Sequence, residues 1–386
     1  MSEAETEDSR GETDGSGLVD TWPRRVAVGV VALLALLAVL YALGVVGAPS
    51  AGLIDRGDWG TVTDERTEVV TTVWVDNPNP VGVALGDSLT ADYVVVMNGV
   101  RLAEGEKSDI AVPASNSTHR LRTDLLNDRL AAWWVGFVRA DETIELRVDG
   151  TLTVRALVAF DHDVRPVNRT ILNDSTPVID ALSSSANRTA GTYTETVGTD
   201  QVDSSLTEGV DLGGADEVTV GYEVRRGSAE WASVTEAETT VRFRFEVHNP
   251  GDVPVPAAPD GVGVTVDTNG VRLFEGETGD LTLGSVDADT VIEPGEAREV
   301  TFTVTMDNER VDEWFTSHVR TDAGPGQEAT TVSTGFQVVF EDPATGTTFR
   351  LPPDSPVTYD CQFATQILVD DQPAETTCGE ATAPAP

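Results

Sequence analysis

Apolar and polar residues alternate with a period of two along much of this chain. Val241, Phe243, Phe245 and Val247 interleave with Arg242, Arg244 and Glu246. Val300, Phe302, Val304 and Met306 interleave with threonines, and Ile144, Leu146 and Val148 with Glu145, Arg147 and Asp149. After Gly150 the pattern continues through Leu152, Val154, Ala156, Val158 and Phe160. This period predicts antiparallel strands with one face on a core and one in water. Asn98-Gly99 and Asn269-Gly270 predict tight hairpins, because both central residues of such a turn need positive φ. One stretch has a helical period instead: Leu126, Leu130, Trp133, Trp134 and Phe137 fall on one stripe, with Thr123 or Asp124 placed to cap it. A shorter helix carrying Val311, Trp314 and Phe315 is expected behind Asp307 as its cap.

The chain also repeats itself. Asn98-Gly99-Val100-Arg101-Leu102-Ala103-Glu104-Gly105 matches Asn269-Gly270-Val271-Arg272-Leu273-Phe274-Glu275-Gly276 at all but one position. Upstream, Trp59 aligns with Trp231 and Asn77-Pro78 with Asn249-Pro250. Downstream, the run from Asn127 to Trp134 aligns with the run from Asn308 to Phe315. Collinear matches of this kind predict two tandem copies of one β-sandwich domain, each with one short helix, the second lengthened within Thr278 to Pro294.

Ahead of both copies, Val26 to Val46 is an unbroken uncharged run long enough to span a bilayer. Arg24 and Arg25 precede it, which places the N-terminus in the cytoplasm and both β domains outside. The expected division is a disordered acidic tail over 1–23, a single transmembrane helix over 24–48, sandwiches over 52–166 and 215–358, a linker over 167–214 and a tail over 359–386. The linker assignment rests on a segment rich in Ser, Thr, Asn and Gly without a sustained apolar period. The lipid bilayer, reached through Val26–Val46, is the one partner that the sequence names; a protein or lipid ligand is left open.

Charge alters the picture in one respect. Lys and Arg number 25 against 65 Asp and Glu, a formal charge of −40, and Lys107 is the only lysine. Such a chain lacks the basic face that a nucleic-acid binder needs. An acidic, lysine-poor surface also fits a protein kept hydrated in molar salt, as in an extreme halophile, where repulsion is screened within about 3 Å.

Candidate chemistry is sparse. Gly86-Asp87-Ser88-Leu89 spells the opening block of a serine hydrolase family, but none of His119, His162, His248 and His318 has an Asp three residues before it to complete the expected late D-x-x-H. Asp161-His162-Asp163 could offer metal ligands, yet acidic runs are common here and solvated surface is the better reading. His248 and His318 read as surface or capping residues. No catalytic residue, metal site or cofactor is expected. Asn116, Asn168, Asn173 and Asn187 begin glycosylation sequons in the external part, and Cys361 and Cys378 could form one disulfide.

A strand ending in Asn77-Pro78, a strand, the hairpin at Asn98-Gly99, a proline-led strand at Pro113, a helix and two more strands form an ordered signature. It resembles the water-stress and hypersensitive-response (WHy) domain of the type 2 late embryogenesis abundant proteins. Asn249-Pro250 and Asn269-Gly270 carry the weaker resemblance of the second copy. The resemblance implies immunoglobulin-like sandwiches and a non-catalytic, protective or binding role in water, salt or desiccation stress. Its alternative is a lipid- or small-ligand-binding module, with Leu126, Leu130, Trp133 and Trp314 lining an apolar cleft between sheet and helix.

Overall fold

The computed structural model describes residues 50–379 apart from stretches at 55–56, 79–82, 85–88, 109–110, 113–114, 156–158, 173, 202–213, 258–260, 277–281, 285–289, 321–327, 342–347, 352–356, 366 and 369–375. The apolar run Val26–Val46, Ser88 and Asn173 lie outside the described residues. Among those described, no helix is long and apolar enough to cross a membrane.

The fold is mainly β. In chain order the principal elements are β1 (Asp58–Val62), β2 (Arg66–Asp76), β3 (Leu89–Met97), β4 (Val100–Lys107), β5 (Ser117–Leu126), α1 (Leu130–Arg139), β6 (Ile144–Arg155) and β7 (Ala159–Ile171). There follow α2 (Pro177–Arg188), β8 (Gly191–Gly198), β9 (Glu217–Val234), β10 (Glu238–His248), β11 (Gly261–Thr268) and β12 (Val271–Gly276). The chain ends with β13 (Ala297–Asp307), α3 (Val311–Val319), β14 (Ala329–Glu341), β15 (Val357–Ala364) and β16 (Thr377–Cys378).

The sheet orders recur. β2 lies between β1 and β5, and β10 lies between β9 and β13. β3 lies between β4 and β6, with β7 beyond; β11 lies between β12 and β14, with β15 beyond. All the pairings with an assigned register are antiparallel, and β10 runs the whole length of β13 from Glu238↔Asp307 to His248↔Ala297. The alternation read from the sequence is the burial pattern of these strands: Val241, Phe243, Val304 and Met306 are buried while Arg242 and Arg244 stay partly exposed. Phe243 and Phe245 stack on Phe302, and Phe336 of β14 meets them edge-on at 5.4 and 5.7 Å, closing one sheet over the other.

Backbone contacts divide the chain into two compact units. The smaller takes in Trp74–Leu85 and Ala111–His119, with Val83 paired to Val112 and Ala84 to Ala111. Asn77 is buried within it, Pro78 is exposed, and Trp74 is 36% exposed. The larger takes in Leu53–Val73, Gly86–Ile110 and everything from Arg120.

Three expectations fail here. The segment 167–214 is not a linker throughout, since it carries the end of β7, all of α2 and β8. Val178, Ala181, Leu182, Ser185 and Ala186 form the buried stripe of α2, with Pro177 preset for its first turn. That stripe escapes a hydropathy reading because most of it is Ala and Ser. The segment from 359 is not merely a tail either: β15 pairs with β14 from Ala329↔Ala364 to Phe336↔Val357, and Ile367 and Leu368 are buried. Finally, Leu126 is not the first turn of a helix. It ends β5, a short 3₁₀ turn covers Asn127–Arg129, and α1 begins at Leu130. Strand alternation buries Leu125 there and leaves Leu126 half-exposed.

Candidate functional site

Within the larger unit, α1 and α3 meet through their aromatic stripes. Trp134 packs on Trp314 at 5.3 Å between ring centroids, and Trp133 packs on Phe315 at 5.5 Å. The strands add a second reciprocal pair: Trp231 of β9 stands edge-on to Trp134, and Trp59 of β1 stands edge-on to Phe315, both at 5.7 Å. Each helix therefore receives an indole from a strand of the other half. Leu130, Trp133 and Trp314 are 0%, 1% and 2% exposed. These side chains fill the seam between α1 and α3, and their burial lends nothing to the reading in which they wall a ligand cleft.

Two buried carboxylates lock the same seam. Glu142, just beyond α1, has φ 62, and both its oxygens point at the start of α2. Oε2 accepts from Val178 N at 2.7 Å, and Oε1 accepts from Ile179 N at 2.8 Å and from Trp231 Nε1 at 3.0 Å. The residue before α2, Thr176, makes no side-chain cap, so Glu142 caps this helix from a distance. Glu328, just ahead of β14, repeats the device. Its carboxylate accepts from Trp59 Nε1 at 3.0 Å, Ile367 N and Leu368 N at 2.7 Å, and Thr365 Oγ1 at 2.6 Å. Both glutamates are fully buried. Burial pushes the Glu142 carboxyl up to about 7, the three donors offsetting part of that rise. Burial raises Glu328 as well. The indole donors are again reciprocal, Trp59 reaching Glu328 and Trp231 reaching Glu142. Guanidinium groups follow suit: Arg139 donates to Val234 O at 3.3 Å and Arg320 to Val62 O at 3.0 Å.

His318 is not a surface residue. It is fully buried, its Nδ1 lies 2.7 Å from Thr330 Oγ1, and its Nε2 lies 2.7 Å from Thr365 Oγ1. The Thr365 hydroxyl proton goes to Glu328, so Thr365 accepts from His318 Nε2–H. Thr330 Oγ1 also accepts from Trp314 Nε1 at 3.2 Å. Burial lowers the imidazole to about 3, so it is neutral at ordinary pH.

The signature asparagines act on backbone. Asn249 is buried, donates Nδ2–H to Val253 O and Ile292 O at 2.8 Å, and accepts from Gly251 N at 2.9 Å, tying the loop after β10 to itself and to the segment ahead of β13. Pro250, beside it, is exposed. Asn98 and Gly99 have φ 46 and 80, and Asn269 and Gly270 have φ 50 and 83, the geometry of two-residue hairpin turns. Asn98 Oδ1 accepts from Trp133 Nε1 at 3.2 Å, and Asn98 Nδ2 donates to Thr143 O at 2.8 Å. Asn269 Nδ2 donates to Ala329 O at 3.2 Å and Asn269 Oδ1 accepts from Thr331 N at 2.9 Å.

Asn116, Asn168 and Asn187 are exposed. Asn187 lies in α2, with the Thr189 of its sequon buried on Ala186 O at 2.7 Å. Cys361 and Cys378 are joined in a disulfide. Among the described residues no group of His, Cys, Asp and Glu is placed to hold a metal ion. Glu142, Glu328 and the Thr330–His318–Thr365 chain follow no motif and escape a reading of the sequence; the alignment of Trp59 with Trp231 is their one signal.

Part of the chain is similar to known proteins. A curated relative, an uncharacterized protein of Methanocaldococcus jannaschii, is 27% identical over 99 residues, covering 25% of this chain; the chain thus spans only 55% of that relative's length. A crystal structure of a protein from Archaeoglobus fulgidus is 28% identical, covering 32% of this chain and 96% of that one, with a TM-score of 0.25. A solution structure of an Arabidopsis thaliana protein is 16% identical, covering 33% and 82%, with a TM-score of 0.27. The family model described as late embryogenesis abundant protein matches residues 72–170, so the stretch from the end of β2 to the end of β7 is similar to that family.

Proposed function

We propose that this chain is a non-catalytic, membrane-anchored surface protein that protects or binds at the cell envelope under water, salt or desiccation stress. The observation that carries the reading is the late embryogenesis abundant match over residues 72–170. The recurring sheet orders and the reciprocal seam support two tandem copies of one WHy-like domain, the second copy filling the interface of the first. The apolar run Val26–Val46 is the anchor, with the N-terminus cytoplasmic and both β domains outside. The charge of −40 with a single lysine keeps the exterior hydrated in the molar salt of a halophilic archaeon.

The test is deletion of the gene in its native host, followed by survival counts after drying and after a shift in external salt. Loss of survival, restored by the full chain but not by one lacking residues 26–46, is the expected result. Unchanged survival on both challenges would refute the stress role. Equal rescue by both chains would refute the anchor.

A further inference from the structure

We propose that the Cys361–Cys378 disulfide is a redox clasp on one of the two seam locks, the one built on Glu328. The argument starts from what the bridge holds. β16 is two residues long and is fixed to β15 by the pairs Cys361↔Cys378 and Gln362↔Thr377. Gly379 N adds one bond to Asp360 O at 3.0 Å, and Arg188 of α2 donates to Cys378 O at 3.0 Å. A two-residue ladder at a sheet edge is marginal without a covalent tie. The bridge closes a loop of sequence separation 17, and that loop contains Thr365, Ile367 and Leu368. Among the described residues, these three supply every donor to Glu328 except the Trp59 indole.

The amide donors of the other lock lie outside the bridged loop. Glu142 is held by Val178 and Ile179 at the start of α2, a three-turn helix packed by its own buried stripe. The two locks therefore share an acceptor and an indole donor and differ in what stiffens the amide donors. Cys361 is fully buried, while Cys378 is half-exposed and open to an external thiol.

The chemistry balances with an external dithiol. Its thiolate attacks Sγ of Cys378, the S–S bond breaks, and the Cys361 thiolate leaves and takes a proton. The dithiol's second sulfur then displaces Cys378 and closes the reagent to its own disulfide, so the protein gains two electrons and two protons. Freed of the bridge, β16 parts from β15, and Thr365, Ile367 and Leu368 open locally. Glu328 then loses its amide donors while still buried, a state that weakens the grip on Trp59.

The experiment is amide hydrogen exchange on the full chain in molar salt. It compares protein shown to be free of thiols with the same protein after dithiothreitol. The amides of Ile367 and Leu368 should exchange at least about tenfold faster after reduction, while Val178 and Ile179 change less than about twofold. The double variant Cys361→Ser with Cys378→Ser should show the faster exchange without reductant. Unchanged exchange at Ile367 and Leu368 would overturn the proposal. So would equal acceleration at both locks, because the bridge would then be a general staple.

Discussion

Substitution of Glu142 by Gln offers a direct reading of the buried carboxylate through the pH dependence of stability. In the folded chain the group titrates at about 7; its ordinary value is 4.5. Between these values the folded state holds a proton that the unfolded chain has released. A raised carboxyl thus contributes stability that is complete below 4.5 and lost as pH rises through 7. Each tenfold change in proton affinity corresponds to about 1.4 kcal/mol, so the change from pH 5 to pH 8 comes to about 2–3 kcal/mol. Glu142 is fully buried, so solvent screening does not reduce that figure. Gln cannot titrate, and its amide nitrogen turns a donor toward Val178 N, so E142Q is destabilised at every pH. The decisive quantity is the difference between wild type and E142Q, measured by urea unfolding in molar salt at pH 5, 6, 7 and 8. That difference should shrink by about 2–3 kcal/mol as pH rises. Taking the difference matters, because His318 contributes an opposite slope to both proteins. A difference that stays constant, or grows with pH, would refute the assignment of the raised carboxyl to Glu142.

Three further outcomes follow from the same structure. His318 titrates at about 3 when folded, so its contribution is present above its ordinary 6.5 and is lost as pH falls. Wild type should lose about 3 kcal/mol more than His318→Phe between pH 7 and pH 4, read by urea unfolding. Asn308 is buried, accepts from Thr239 Oγ1 at 2.6 Å and donates to Thr235 O and Glu236 O; Asn308→Ala should cost about 2–3 kcal/mol, with no pH dependence. Gly227→Ala would drive a Cβ into the Ala186 carbonyl, while Gly270→Ala meets nothing within 4 Å and is strained only by its φ of 83. Thermal unfolding should therefore rank them, Gly270→Ala losing about 1–2 kcal/mol and Gly227→Ala clearly more.

Much of this fold was legible in the sequence because its strands bury one face each. Val241, Phe243 and Phe245 announce β10 by alternation alone, and Asn98-Gly99 and Asn269-Gly270 announce their turns by stereochemistry. α2 was not legible, because Ala181, Ser185 and Ala186 make up much of its buried face and leave only Val178 and Leu182 as strongly apolar signals. The locks were less legible still. A buried glutamate looks like a surface glutamate in a chain with 65 acidic residues. Its partners, Val178 and Ile179 for Glu142 and Ile367 and Leu368 for Glu328, contribute main-chain N–H groups that no residue type reveals.

Charge explains why the seam takes this form. At −40 the chain repels itself, and lysine is almost absent as a source of local compensation. Surface pairs such as Arg122–Glu68 and Arg226–Glu246 leave their arginines largely in water, where such pairs contribute little and salt weakens them further. A carboxylate held by amide and indole N–H groups in a sealed aromatic seam is screened far less by dissolved ions. Salt that erodes the outer pairs strengthens apolar burial if its anion is excluded from the protein surface, as sulfate is. Raising such a salt should therefore shift cohesion from the arginine pairs toward Trp134, Trp314, Trp59 and Trp231. Substituting Trp231 by Phe keeps most of the apolar area but removes a donor from Glu142. Its destabilisation should persist undiminished from dilute buffer to molar salt, whereas that of Arg226→Ala should fade.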